Sequence, residues 1–103
     1  MKVVRAGHLY ELYFFEDPEK HQELRFICKE SKGEILETVF DGTTSEEVLE
    51  CLINRLEHLQ NSMPCVENDY AIRALMEARG WLNARTESRI KQGVEGKHLP
   101  HNS

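Results

Sequence analysis

Residues 65–96 read CVENDYAIRALMEARGWLNARTESRIKQGVEG, and this stretch decides the fold. Apolar residues fall at Ala71, Ile72, Leu75, Ala78, Trp81 and Leu82, the three-and-four spacing that lays one stripe along an α-helix. No proline interrupts the run, and Gly93 follows a last turn carrying Arg89 and Lys91, the chemistry of a helix stop. A single helix over residues 65–92 would rise about 42 Å. A compact chain of 103 residues has a diameter of roughly 35 Å. The helix is therefore expected to overhang its own domain, with Tyr70, Trp81 and Leu82 on its surface. Such a helix calls for a second copy of the chain, a homodimer.

Working back from it, Thr43-Thr44-Ser45-Glu46-Glu47 is a capping box, in which a Thr hydroxyl takes an orphan amide and a Glu three residues on reaches back. Val48, Leu49, Leu52, Ile53, Leu56 and Leu59 follow at helical spacing, so a first helix runs to about Gln60. The short Asn61-Ser62-Met63-Pro64 connection makes the two helices an antiparallel hairpin.

The first forty residues read as strands. Leu9–Phe15 (LYELYFF) is aromatic and ends at the turn residues Glu16-Asp17-Pro18-Glu19. Leu24, Phe26 and Cys28 alternate with Arg25, Ile27 and Lys29 as one half-buried strand. Ser31-Lys32-Gly33 is the next turn, Ile35–Phe40 another strand, and Val3–Arg5 a short edge. The expected fold is α+β. A small N-terminal antiparallel β-sheet (1–42) precedes a C-terminal antiparallel helical hairpin with a long second helix (43–96) and a flexible tail (97–103), all as one domain.

The net charge of −5 argues against a partner of nucleic-acid polymer or anionic membrane. It hides an asymmetry: residues 1–72 carry seven Lys/Arg against fifteen Asp/Glu, and residues 73–103 six against three. A small anion would be drawn to the second half of the long helix, although a solvated helix face explains the same charges. Three cysteines (Cys28, Cys51, Cys65) form no CxxC pair, and there is no secretory leader or apolar span of membrane length. Reduced, buried thiols in the cytosol are the expectation. Cys51, His58 and Cys65 match no closed zinc site, so no metal is assigned. No glycine-rich phosphate loop is present, and no cofactor is implied.

Arg85 and Arg89 are the sharper signal. Four residues apart, they share a helical face with Cβ atoms about 5–6 Å apart. Two guanidinium forks at that distance suit a diphosphate. On an anonymous helix, a pair that is solvated or bonded to Glu is the commoner case.

TTSEEVLECLINRLEHLQ, PCVEN, ALMEARGWLNARTESR and GVEGKH, spread over residues 43–98, together resemble the phage Thoeris anti-defence sponge family of the first type. HLYEL and ELRFICKE are similar more loosely. The resemblance implies sequestration of cyclic ADP-ribose isomers made by bacterial TIR-domain defence enzymes, in the cytoplasm of the infected host. It implies an N-terminal antiparallel sheet, a C-terminal helical hairpin, and dimers that can associate further into hexamers, some of which also capture cyclic oligonucleotides at separate sites. By the same resemblance Arg85 and Arg89 bind phosphate, Asn68 contacts ribose or base, and His58 stands where an aromatic often stacks on adenine. One position departs: relatives read Pro-Cys-Arg-Glu-Asn where this chain has Val66, which puts that position's contribution, secondary cyclic-nucleotide binding included, in doubt.

Asn68 and Arg85 are seventeen residues apart, about 25 Å along one helix, too far for one such ligand to span. Both can touch one ligand only across two antiparallel chains, with two equivalent pockets per dimer. No nucleophile, oriented base and oxyanion hole occur together, so binding without catalysis is the reading. An enzyme degrading the same signal, or a dimeric protein-protein adaptor, are the alternatives.

Overall fold

A computed structural model describes residues 1–91; the glycine-rich exit and the expected tail at 97–103 lie outside the described residues. The described residues divide into two compact units, residues 1–44 and residues 45–91. The fold is α+β: five strands precede two helices.

In the first unit, strands β1 (Lys2–Arg5), β2 (Leu9–Tyr13) and β3 (His21–Arg25) form an antiparallel meander in the order β1-β2-β3. Strands β4 (Cys28–Lys32) and β5 (Ile35–Phe40) form a separate antiparallel hairpin. The expected single sheet is thus two. Its expected middle strand, around Leu24–Lys29, breaks at Phe26-Ile27 although the alternation of side chains runs through. The reason lies in the backbone. Phe26 N–H donates to His8 O (2.7 Å), Ile27 N–H to Thr43 O (2.9 Å), and Thr43 N–H to Arg25 O (2.8 Å). These bonds take the chain out of the first ladder and set Phe26 beside Thr43 in an isolated parallel bridge.

Gly42 allows that crossing. A Cβ there would lie 2.5 Å from the Arg25 carbonyl oxygen and 2.6 Å from the Phe26 carbonyl carbon, both backbone. The β4–β5 turn is Gly33-Glu34, one residue later than Ser31-Lys32-Gly33. Of these two turn residues Gly33 alone has positive φ (67°), as the first central residue of a type II′ hairpin turn requires. Side chains tie the two sheets together: the Arg5 guanidinium lies over the Phe40 ring and 3.5 Å from Glu30, and His8 meets Phe40 edge to face. Cys28 is 1% exposed in this unit, whereas Cys51 and Cys65 are exposed. The expectation of three buried thiols thus holds for one, because the other two fall off the buried faces of their segments.

In the second unit, α1 (Ser45–Ser62) and α2 (Val66–Lys91) pack against each other as an antiparallel hairpin. Thr44 occupies the position before the first helical residue, with Glu46 and Glu47 in the first turn, where the partial positive charge of a helix start favours carboxylates. Three residues connect the helices. The Gln60 side chain closes this turn at two points, donating from Nε2 to Cys65 O (2.9 Å) and accepting from Cys65 N–H at Oε1 (3.0 Å). This clamp replaces hydrogen bonds that the helix ends leave unmade.

Candidate functional site on the long helix

The covered positions of the two helices follow one rule. On α1 the partly or fully buried residues include Glu46, Leu49, Ile53, Leu56 and Gln60; on α2 they include Asn68, Ile72, Leu75, Arg79, Leu82, Thr86 and Arg89. Both series step by three and four residues, the spacing of a narrow helix-to-helix seam. The middle of the seam is apolar except for Arg79, with Ile53 3% exposed. Its ends are polar: Gln60 and Asn68 toward the turn, Glu46, Thr86 and Arg89 toward the open end.

This seam places the four expected site residues. Asn68, the third residue of α2, is half-buried on the face turned to α1. His58 is exposed, about 180° around α1 from the middle of its seam, so one chain does not bring it to Asn68. Arg85 and Arg89 stand together one turn apart near the end of α2, the first exposed and the second half-buried. Asn68 lies about 25 Å from Arg85 along α2. Within one chain, only the arginines are neighbours.

Their surroundings differ. The Arg85 Nη2 is 3.8 Å from Glu46 Oε1 in the first turn of α1, so the expected Glu-bonded alternative is partly realised. At that distance the contact is an attraction of charges rather than a hydrogen bond. The Arg89 Nε is shut off from water and, among the described residues, has no hydrogen-bond partner. A shielded, unpaired guanidinium N–H is costly, and an acceptor supplied by a ligand would remove the cost. Glu87, about 200° around α2 from each arginine, points away from both.

The opposite face of α2 is uncovered within the chain. Val66, Tyr70 and Trp81 are 57%, 63% and 71% exposed there, and Arg73 reaches over the Tyr70 ring at 5.9 Å. Toward its end, Ala84, Glu87, Ser88, Ile90 and Lys91 line a shallow depression of about 470 Å³; none of the four expected residues is among them. Among the described residues, no three His, Cys, Asp or Glu side chains gather where a metal ion could be held. No helix among them is long and apolar enough to cross a membrane.

Three features went unread in the sequence: the Gln60 clamp, the Glu46–Arg85 pair and the half-burial of Arg79. The signal was available. Extending the Leu49–Ile53–Leu56 spacing one step each way lands on Glu46 and Gln60.

Residues 21–87, spanning β3 to most of α2, match the model of the Acb2/Tad1 hairpin domain. The chain belongs to this family. The match includes His58, Asn68 and Arg85 and stops two residues before Arg89. Thoeris anti-defense 1 of Bacillus phage SBSphiJ7 is 43% identical over 67 residues, covering 64% of this chain and 47% of that protein. The chain therefore spans about half the length of this curated relative. No solved structure matches.

Proposed function

We propose that this member of the Acb2/Tad1 hairpin family is a phage Thoeris anti-defence protein that binds a cyclic ADP-ribose isomer and withholds it, uncleaved, from the host's defence effector. The observation that carries the reading is the arginine pair on the open end of α2, with the Arg89 Nε shielded and unpartnered. Two forks one turn apart can grip adjoining phosphates, and charge-assisted bonds of this kind are about twice as strong as neutral ones. The name of the phage relative supports the biological setting, the cytoplasm of the infected host.

Asn68 completes the pocket from a second protomer. The uncovered Val66, Tyr70 and Trp81 face is the apolar surface on which two α2 helices would lie antiparallel, giving a two-fold dimer with two equal pockets. Further assembly into hexamers, and a separate site for cyclic oligonucleotides, belong to the same proposal, Val66 weakening the second. A sponge must hold its ligand more tightly than the receptor does, which sets a dissociation constant of nanomolar or below, about −12 kcal/mol. Among the described residues, nothing beside the arginines offers a base with an orienting partner, so tight binding here would store the ligand rather than turn it over.

The test is to incubate the protein with the product of a TIR-domain enzyme, remove free nucleotide, denature the protein and identify what is released by mass spectrometry. Intact cyclic ADP-ribose isomer in stoichiometric amount is expected. Accumulating linear ADP-ribose would make the protein an enzyme, and release of no nucleotide would leave the adaptor reading.

A further inference from the structure

The free protein already supplies one of the two arginines with an anion. Glu46 sits at the first seam position of α1, its side chain 26% exposed, and its carboxylate faces the Arg85 guanidinium at 3.8 Å; the Arg85 side chain is 49% exposed. Among the described residues neither side chain makes another salt bridge or hydrogen bond. Three properties of the contact point the same way. It is too long to be a hydrogen bond, so it does not fix the orientation of the fork. It is half open to water, so it is weak and screened by salt. It joins only Nη2, leaving the other N–H groups of Arg85 unused.

We infer that Glu46 is a stand-in anion for the ligand. Its carboxylate neutralises Arg85 in the empty protein and gives it up when a diphosphate arrives, so it acts as a brake on affinity. The inference rests on the arginine site proposed above and deepens it. Two like-charged guanidinium groups one turn apart repel, and a carboxylate from the neighbouring helix relieves that repulsion while the site is empty. A diphosphate replaces the loose charge contact with paired hydrogen bonds. Glu46, packed against the seam, stays close to the incoming negative charge and opposes it. Among the described residues Arg89 has no such stand-in, and its Nε is shielded and unpartnered.

Removing the charge but not the bulk should therefore tighten binding. A carboxylate about 6 Å from a phosphate, in surroundings intermediate between water and protein interior, opposes it by about three- to tenfold in affinity per charge. The experiment measures binding of cyclic ADP-ribose isomer and of inorganic pyrophosphate by calorimetry. It uses the wild type, Glu46→Gln, Arg85→Ala, and Glu50→Gln, which removes an exposed carboxylate from the next turn of α1. Thermal unfolding of each variant confirms the fold. Glu46→Gln is expected to bind both probes at least threefold more tightly than the wild type, with Glu50→Gln within twofold of it. Equal or weaker binding by Glu46→Gln, in a protein whose Arg85→Ala variant loses the ligand, overturns the stand-in role and makes Glu46 a support for Arg85. Equal tightening by Glu50→Gln overturns it too, by showing a general charge effect. A wild type that binds neither probe, or an Arg85→Ala variant that binds like the wild type, overturns the arginine site itself and this inference with it.

Discussion

The two halves of this chain are held by different means. In residues 1–44 the course of the chain is set by backbone: the crossing at Arg25–Ile27 depends on three main-chain hydrogen bonds and on the missing Cβ of Gly42. In residues 45–91 it is set by side chains, repeated at three and four residues along two facing helices. Backbone contacts care little which residues carry them, except where a Cβ would collide. Side-chain seams depend on identity at every step. All four expected site residues belong to the second half, where a change of register would move each of them to another face.

The largest effect should come from Arg85→Ala/Arg89→Ala, at the open end of the seam and away from its apolar middle. Each guanidinium contributes about 1.5–3 kcal/mol through charged hydrogen bonds, so losing two should weaken capture at least a hundredfold. Circular dichroism should be unchanged. Calorimetric affinity equal to the wild type would move the phosphate site elsewhere. The trans arrangement is tested alongside: a purified heterodimer of Asn68→Ala and Arg85→Ala chains should bind half a ligand per chain, and one that binds none removes the shared pocket.

Ile53→Ala attacks the seam. Ile53 is 3% exposed, and emptying such a position costs about 2–5 kcal/mol. Hydrogen exchange should rise along α1 and α2 and leave β1–β3 protected. Equal loss of protection in both halves would show that the two units unfold as one.

Gly42→Ala attacks the backbone crossing. The new methyl meets carbonyl atoms that no rotamer change can move, and overpacking of this sort costs about 1–3 kcal/mol. Ligand affinity of the folded protein should stay within twofold. An unchanged midpoint in urea would mean that the crossing relaxes freely.

Gln60→Ala is the smallest change. It removes both bonds to Cys65 and should cost about 1 kcal/mol, since the freed backbone groups can reach water. A loss as large as that of Ile53→Ala would give the turn, and not the seam, control of the hairpin.

Hairpin and helix ends were legible because helices report themselves locally. Ala71, Ile72 and Leu75 repeat at the period of one helix, and the Thr-Thr-Ser-Glu-Glu run marks where another starts. Strand alternation at residues 24–29 was legible too, yet it misled. A period of two is the same whether the chain continues in one sheet or passes to the next, and the passage depends on His8 O and Thr43 O, which are remote in sequence. Leu82 shows the limit for helices: it was expected on the surface beside Tyr70 and Trp81, and while those two are exposed, Leu82 is half-buried on the seam, because it falls on the narrow stripe that faces α1.

By itself the sequence determined the α+β class, the hairpin, the length of its second helix and the shared face of Arg85 and Arg89. Those properties follow from neighbours within four residues, where backbone geometry alone sets the spacing. Only the tertiary structure decided that the strands make two sheets, that Arg85 faces Glu46 and that the Arg89 Nε is shielded without a partner. Each depends on segments well apart in the chain or on what covers a side chain, and spacing carries no record of either.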